Sequence, residues 1–341
     1  MKAKTPMIRS IAAAAACALS LSFGTRAADA PALPDFKPVP PAIKARILPV
    51  DPKEGYFVKK LKPDVYLITD GGYQSLFVTT GKGVILLDAP PSYGSKIVPA
   101  VAEVTREPIV ELVYSHSHLD HISGAVEVLR QVPNVKILAE GRVAAFLREK
   151  KDPRRPVPTE TFKGQHTLRL GSAVIEMKHG HWHSNEGDLY IYMPAKKVLM
   201  AIDTLPPGSA QFMDFDLTAD FHDYLEMFDK VLAYDFDVLV GGHLGFPGTR
   251  SDVEVARDYT LDVYRTIKRI HDGTDQMKMV SQAAAKYGWD NKMALFRGLL
   301  DPMIDECAKE IESRWTGRLA SVDVYARSHC HTALIYARWD D

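Results

Sequence analysis

The chain has 341 residues, 46% of them hydrophobic, enough to bury a large core in one domain or two modest ones. Its 42 Lys and Arg balance 43 Asp and Glu at a net charge of -1, which excludes a globally basic nucleic-acid binder and any general attraction to an anionic membrane. The apolar and aromatic content also excludes a disordered or low-complexity chain.

Lys2, Lys4 and Arg9 flank an apolar stretch from Ile11 to Phe23, and Thr25-Arg26-Ala27 offers small residues where a signal peptidase reads. The run is too short for a bilayer of ~30 Å. Residues 1–27 therefore read as a signal peptide cleaved after Ala27, which predicts a periplasmic or secreted protein with no membrane attachment after cleavage. Cys17, following Ala14-Ala15-Ala16, is the weaker signal of lipoprotein processing. Cleavage leaves Cys307 and Cys330, which an oxidising compartment permits to bridge; two free buried thiols are the equal alternative.

Residues 28–55 hold seven prolines between Pro31 and Pro52 and read as an extended arm. Regular structure begins near Phe57, with β-rich runs at 65–68, 75–80 and 83–88 punctuated by Gly71-Gly72 and Gly81-Lys82-Gly83, the pattern of a meander. A helix near 95–105 precedes an apolar strand at 109–114; residues 121–131 have helical period and 135–138 form another strand. Further strands fall at 167–170, 173–178, 189–193, 197–202 and 238–240, with a helix at 220–232. Strands in hairpins, then alternating with helices in two successive halves, imply two sheets packed face to face with helices outside. From Arg250 onward the pattern is helical, at 252–271, 275–287, 301–315 and 320–336.

The run Ser115-His116-Ser117-His118-Leu119-Asp120-His121 follows the strand at 109–114. In an extended segment His116 and His118 point the same way, and Asp120 and His121 face a second point as the chain turns into a helix. Three imidazoles and a carboxylate so closely spaced suit a borderline-soft divalent metal, above all zinc.

This motif resembles the His-x-His-x-Asp-His signature of the metallo-β-lactamase superfamily, matched here at every position. The resemblance covers roughly residues 57–265. It implies an α/β fold, a four-layer αββα metallo-β-lactamase sandwich over residues 56–265; residues 266–341 fall outside it and read, from their own helical pattern, as a helical C-terminal extension. It also implies two zinc ions per chain, held by His116, His118 and His183 on one side, Asp120, His121 and His243 on the other, and Asp203 between them. His183 is placed by the following Ser184 and by Gly187-Asp188, with one residue more than the family spacing; His181 is its competitor and His179 a third choice. Asp203 ends the apolar run 198–202, and His243 follows the run 238–240 and two glycines. Asp88 resembles the family's buried aspartate that orients metal-binding groups. His329-Cys330-His331 reads as structural, because on a helix the two histidines face apart.

The implied chemistry is hydrolysis by a metal-bridging hydroxide, with Asp120 carrying the proton to the leaving group. A bridging Asp203 resembles the lactonases, thioesterases and phosphotriesterases more than true β-lactamases. Together with export, this favours a small-molecule ester or lactone, then a β-lactam, then a phosphoester, with no nucleic-acid partner. From other classes stand a mono-iron persulfide-dioxygenase-like oxidoreductase and a non-catalytic zinc-binding module. Tyr73, Trp182, Phe212, Met213 and Phe215 either line an apolar pocket beside the metals or belong to the core.

Overall fold

The computed structural model describes residues 34–340, so the signal-peptide assignment and Cys17 lie outside the described residues. Residues from Phe36 onward belong to one compact unit. The described part of the proline-rich arm holds one short helix, α1 (Pro41–Lys44), and is tied down by Arg46, whose guanidinium pairs with Asp252 at 2.7 Å.

The first sheet is laid down in chain order. The strands β1 (Phe57–Lys62), β2 (Val65–Thr69), β3 (Gln74–Thr79) and β4 (Val84–Leu87) form the expected antiparallel meander. The strands β5 (Ile109–Val113), β6 (Lys136–Glu140) and β7 (Glu160–Phe162) then add in parallel, giving the order β1-β2-β3-β4-β5-β6-β7. Parallel addition needs crossovers. These are α2 (Ile97–Val104), the pair α3 (Leu119–Ile122) and α4 (Ala125–Gln131), and α5 (Gly141–Lys150). The expected single helix over 121–131 is broken because Gly124 backs onto the Ala89 and Pro90 carbonyls, where a Cβ would come within 2.6 and 2.5 Å.

The second sheet contains β8 (Gln165–Leu170), β9 (Ala173–Gly180), β10 (Asp188–Met193), β11 (Val198–Met200) and β12 (Val238–Val240), ordered β12-β11-β10-β9-β8. Between its last two strands lie α6 (Met213–Leu217) and α7 (Phe221–Leu232). Alternation along the strands builds the layers. Leu67, Leu76, Leu189, Ile191 and Met200 fill the space between the sheets, whereas Ile68 and Phe77 face α2–α5 and Tyr190 and Leu199 face the opposite helices. The result is the four-layer sandwich.

Those opposite helices include α8 (Arg250–Gly273), α9 (Gln276–Tyr287), α10 (Lys292–Trp315) and α11 (Val322–Trp339). The helix α8 runs without a break across residue 265, and the extension shares one hydrophobic core with the second sheet. The helix expected at 301–315 starts earlier, at Lys292, with Pro302 inside it. Among the described residues no helix is long and apolar enough to cross a membrane. Cys307 on α10 and Cys330 on α11 are joined in a disulfide, fully buried, with Cα atoms 6.1 Å apart.

One segment is unlike anything periodicity suggests. The turn α6 is wound left-handed at Asp214, Phe215, Asp216 and Leu217, a conformation that costs an L-residue roughly 1–2 kcal/mol each.

The disulfide closes a loop of 23 residues in sequence separation, which predicts that replacing both cysteines by Ala lowers the unfolding free energy by about 3 kcal/mol. Urea unfolding of the two proteins measures this; an unchanged midpoint would mean that the α10–α11 packing alone fixes the extension.

Candidate metal centre

The predicted ligands all come from loops and the short helix α3 at one end of the sandwich. His116, His118, Asp120 and His121 follow β5, His183 lies between β9 and β10, Asp203 follows β11, and His243 follows β12. Side chains on different strand ends converge because the strands themselves are fixed by the core; the loops only aim them.

Asp203 is the centre of the arrangement. It is buried, and its backbone takes a left-handed φ of 57°. One carboxylate oxygen, Oδ2, lies 3.3 Å from His116 Nε2 and 3.2 Å from His183 Nε2, and that His183 nitrogen is 2.9 Å from His118 Nδ1. The other, Oδ1, lies 3.3 Å from His121 Nε2 and 3.0 Å from His243 Nε2, nitrogens that are themselves 3.1 Å apart. Asp120 Oδ2 completes the second group, 3.4 Å from His121 Nε2 and 3.7 Å from His243 Nε2.

These residues fall into two groups able to hold an ion: His116, His118, His183 and Asp203, then Asp120, His121 and His243. The fit to a metal can be tested on the donor atoms. Ligands bonded at ~2.0–2.1 Å to a tetrahedral ion stand roughly 3.3 Å apart, the spacing found here. Buried polar atoms in the cluster, His116 Nε2, His121 Nδ1, His183 Nδ1 and Asp203 Oδ1, have no hydrogen-bond partner. The donor set therefore fits divalent cations.

Its electrostatics agree. Burial holds the His116 imidazole well below its ordinary range, and burial with the neighbouring His183 lowers His118, so both offer lone pairs. Burial also pulls His121 down, but Asp203, Asp120 and Asp88 outweigh it and raise the ring to about 9. Burial opposes the Asp203 charge, yet His121, His116 and His243 hold its carboxyl well below the carboxylate range.

A supporting shell aims the ligands. Ser115 Oγ meets His116 Nδ1 at 2.9 Å, and Asp88 accepts the Ser115 N–H at 2.8 Å. Asp188 accepts the backbone N–H groups of Trp182, His183 and Ser184 at 2.9, 2.9 and 3.1 Å, and so fixes the loop that presents His183. His181 turns away to Asp223 at 2.8 Å, and His179 packs against Gly187, where a Cβ would be 1.8 Å from its Nε2. Neither lies in the cluster. Gly242, with φ 91°, brings His243 in close: a Cβ there would sit 2.8 Å from Ile202 and 3.1 Å from His121.

A cavity of about 440 Å³ opens over the ligands. Tyr73, Phe212, Leu217, Leu244 and Tyr325 form its apolar walls, and no Lys or Arg among the described residues lines it. Tyr73 and Phe212 are thus wall residues, whereas Trp182 and Phe215 are 1% and 0% exposed and belong to the core, and Met213 points elsewhere into solvent. Leu217, Leu244, Asp216 and Tyr325 are cavity residues that periodicity could not flag. A larger cavity, about 730 Å³, lies between α7 and α11 and contains no convergent ligand set among the described residues, so the chemistry belongs to the smaller one.

Two outcomes follow. Because a protonated His121 must lose its proton to bind an ion, and Asp203 raises His243 as well, divalent-metal affinity should rise at least tenfold per pH unit below about 9 and flatten above it; calorimetry in buffers of different ionisation enthalpy reads the released protons. Asp188→Ala frees three N–H groups in the His183 loop and should weaken metal binding ~10–100-fold, measured by chelator competition, with secondary structure retained.

Comparison with known proteins places this geometry. The metallo-beta-lactamase superfamily profile matches residues 68–243. The chain is 24% identical over 185 residues to a 2,4-dinitroanisole O-demethylase subunit alpha from Nocardioides sp. (strain JS1661), covering 52% of this chain and 55% of that protein, so it spans about half the length of this relative. In structure it resembles a metallo-beta-lactamase from Pontibacter korlensis, with TM-score 0.50, 19% identity, and coverage of 60% of this chain and 99% of the other. It also resembles a double mutant of the sec-alkyl sulfatase PisA1, with TM-score 0.51, 17% identity, and coverage of 67% and 45%. The sulfatase and lactamase likenesses concern the fold, while the profile spans the segment from β2 to the last of the clustered histidines; the chain belongs to the metallo-beta-lactamase superfamily.

Proposed function

We propose that the protein is an exported two-zinc hydrolase that cleaves an uncharged carboxylic ester or lactone. The observation that carries this reading is the single carboxylate of Asp203 facing two imidazole sets beneath a cavity lined, among the described residues, by no Lys or Arg. Zinc is favoured over harder ions by the five imidazoles. Export rests on the N-terminal signal pattern.

Bound divalent ions would supply a water acidic enough to react at neutral pH and a Lewis acid for the substrate carbonyl. The chain's own residues do the rest. His116, His118, His183, His121 and His243 supply neutral donors once deprotonated, and Asp203 fixes the spacing of the two sets. Asp120 is 40% exposed at the cavity floor, unlike buried Asp203, so its carboxylate can take a proton from water and pass it to the leaving oxygen. The apolar walls exclude water and bind an apolar group by burial.

Among the described residues an anionic substrate finds no Arg or Lys in the cavity, which disfavours sulfate and phosphate esters and the carboxylate-bearing β-lactams. A second reading has a specific basis: the relative named an O-demethylase of 2,4-dinitroanisole suggests aryl ether cleavage, and a neutral nitroaryl ether also suits apolar walls.

The test is turnover of a panel comprising an aryl ester, an acyl-homoserine lactone, 2,4-dinitroanisole, a cephalosporin, a phosphotriester and a sec-alkyl sulfate. The expected result is chelator-sensitive hydrolysis of the ester or the lactone, restored by zinc. Turnover of the anisole alone would replace this reading with the second, and persulfide oxidation by an iron-loaded protein would overturn both. Asp120→Asn should lower kcat about 10²–10⁴-fold on the best substrate, with the first ligand set still binding metal.

A further inference from the structure

Four consecutive residues of α6 hold left-handed φ values of 54–58° with no glycine to relieve them, so the surroundings must over-determine the turn. Within it, Asp216 Oδ1 accepts the Phe212 N–H at 3.0 Å. From behind, α11 grips it at three points. Ser328 Oγ accepts the Asp214 N–H at 3.1 Å, Thr332 Oγ1 donates to Asp214 Oδ1 at 3.0 Å, and His329 Nε2 reaches the Phe212 carbonyl at 3.0 Å.

His329 is fully buried, its ring stacks on Phe215 at 4.3 Å, and its Nδ1 lies 2.8 Å from the Tyr259 hydroxyl. A carbonyl only accepts, so Nε2 carries the proton and Nδ1 accepts from Tyr259. Burial lowers the ring to about 4, which keeps this neutral tautomer across the physiological range. One imidazole thus links α8, α11 and the base of α6. The opposite side of the turn is cavity wall: Phe212 and Leu217 are half exposed there, and Tyr325 of α11 packs edge-on against Phe212 at 5.3 Å. Neither Phe212, Leu217 nor His329 belongs to the ligand sets.

We propose that α6 is the specificity element of this site, forming a subsite for an uncharged aromatic or branched apolar group of the substrate, and that His329 is the residue that positions it. A bent wall whose exposed side chains, Phe212 and Leu217, are apolar, held by partly buried hydrogen bonds, binds such a group without ordering a loop at the moment of binding. The kinetic part of this assignment rests on the hydrolase reading; the subsite itself does not.

The test compares wild type, His329→Leu, His329→Gln and Phe212→Ala as full-length, zinc-loaded proteins. Two quantities are read: the Kd of the neutral fluorophore N-phenyl-1-naphthylamine, and kcat and KM for an aryl ester, with metal content as a control. Leu removes the Nε2–H donor, whereas Gln places an amide N–H within reach of the Phe212 carbonyl. His329→Leu is expected to weaken the probe about tenfold and raise KM by a similar factor, with kcat changed less than threefold and metal content unchanged. His329→Gln is expected to stay near wild type. Equal probe affinity in wild type and His329→Leu, or equal damage by Gln and Leu, would overturn the proposal. Should His329→Leu fail to fold, Phe212→Ala decides, because its side chain is half exposed: unchanged probe affinity there overturns the subsite. If wild type hydrolyses no ester while the probe follows this pattern, the hydrolase reading fails and the subsite stands.

Discussion

The structure is organised around one buried carboxylate shared between two sets of imidazoles. Asp203 is 5% exposed and has four histidine nitrogens within 3.0–3.3 Å of its two oxygens. A buried anion is tolerated only when paired, and histidines crowded lone pair to lone pair are tolerated only when something positive sits among them. The same contacts that would be a liability in a closed core become a site once cations are admitted. Much of the surrounding chain serves that crowding: the left-handed backbone at Asp203, the missing Cβ at Gly242, the Asp188 carboxylate clamping the His183 loop.

The sandwich supplies the rigidity that such a site demands. Its ligands sit on loops and on the short helix α3, but each of these segments leaves a strand whose alternating side chains are locked between layers, so a small error at a strand would move several ligands together. The helical extension completes the other half of the cavity. It shares the core of the second sheet, carries the disulfide, and reaches over the site with Tyr325 and with the grip on α6. Metal chemistry and cavity shape thus come from different parts of one compact unit: the superfamily core holds the ligands, and the extension helps shape what lies above them.

How far this was legible in the residues depended on range. The motif at 116–121 is local, its spacing along a strand end is its geometry, and it could be read directly. His183, Asp203 and His243 needed the family's order as a guide, because each alone reads as a capping or core residue; His183 was favoured by the nearby Ser184 and Gly187-Asp188, whose carboxylate clamps its loop, whereas the contact that turns His181 away, Asp223 on α7, comes from elsewhere in the fold. The layers followed from period-2 alternation, while β7, only three residues long, and α5 left too weak a pattern to name. The helix expected at 301–315 begins at Lys292 and continues through Pro302, a residue that helix interiors usually exclude. The left-handed α6 could not have been foreseen: Phe212-Met213-Asp214-Phe215-Asp216-Leu217 contains no glycine, and its conformation is imposed by residues of α11 more than 100 positions away.

The most direct test of the central claim is metal stoichiometry by mass spectrometry and elemental analysis on wild type, His243→Ala and Asp203→Ala. Shared ligation by Asp203 predicts about two zinc ions per chain in wild type, about one in His243→Ala, and near-complete loss in Asp203→Ala despite a folded chain. Two ions retained in Asp203→Ala, or a single iron in wild type, would contradict it.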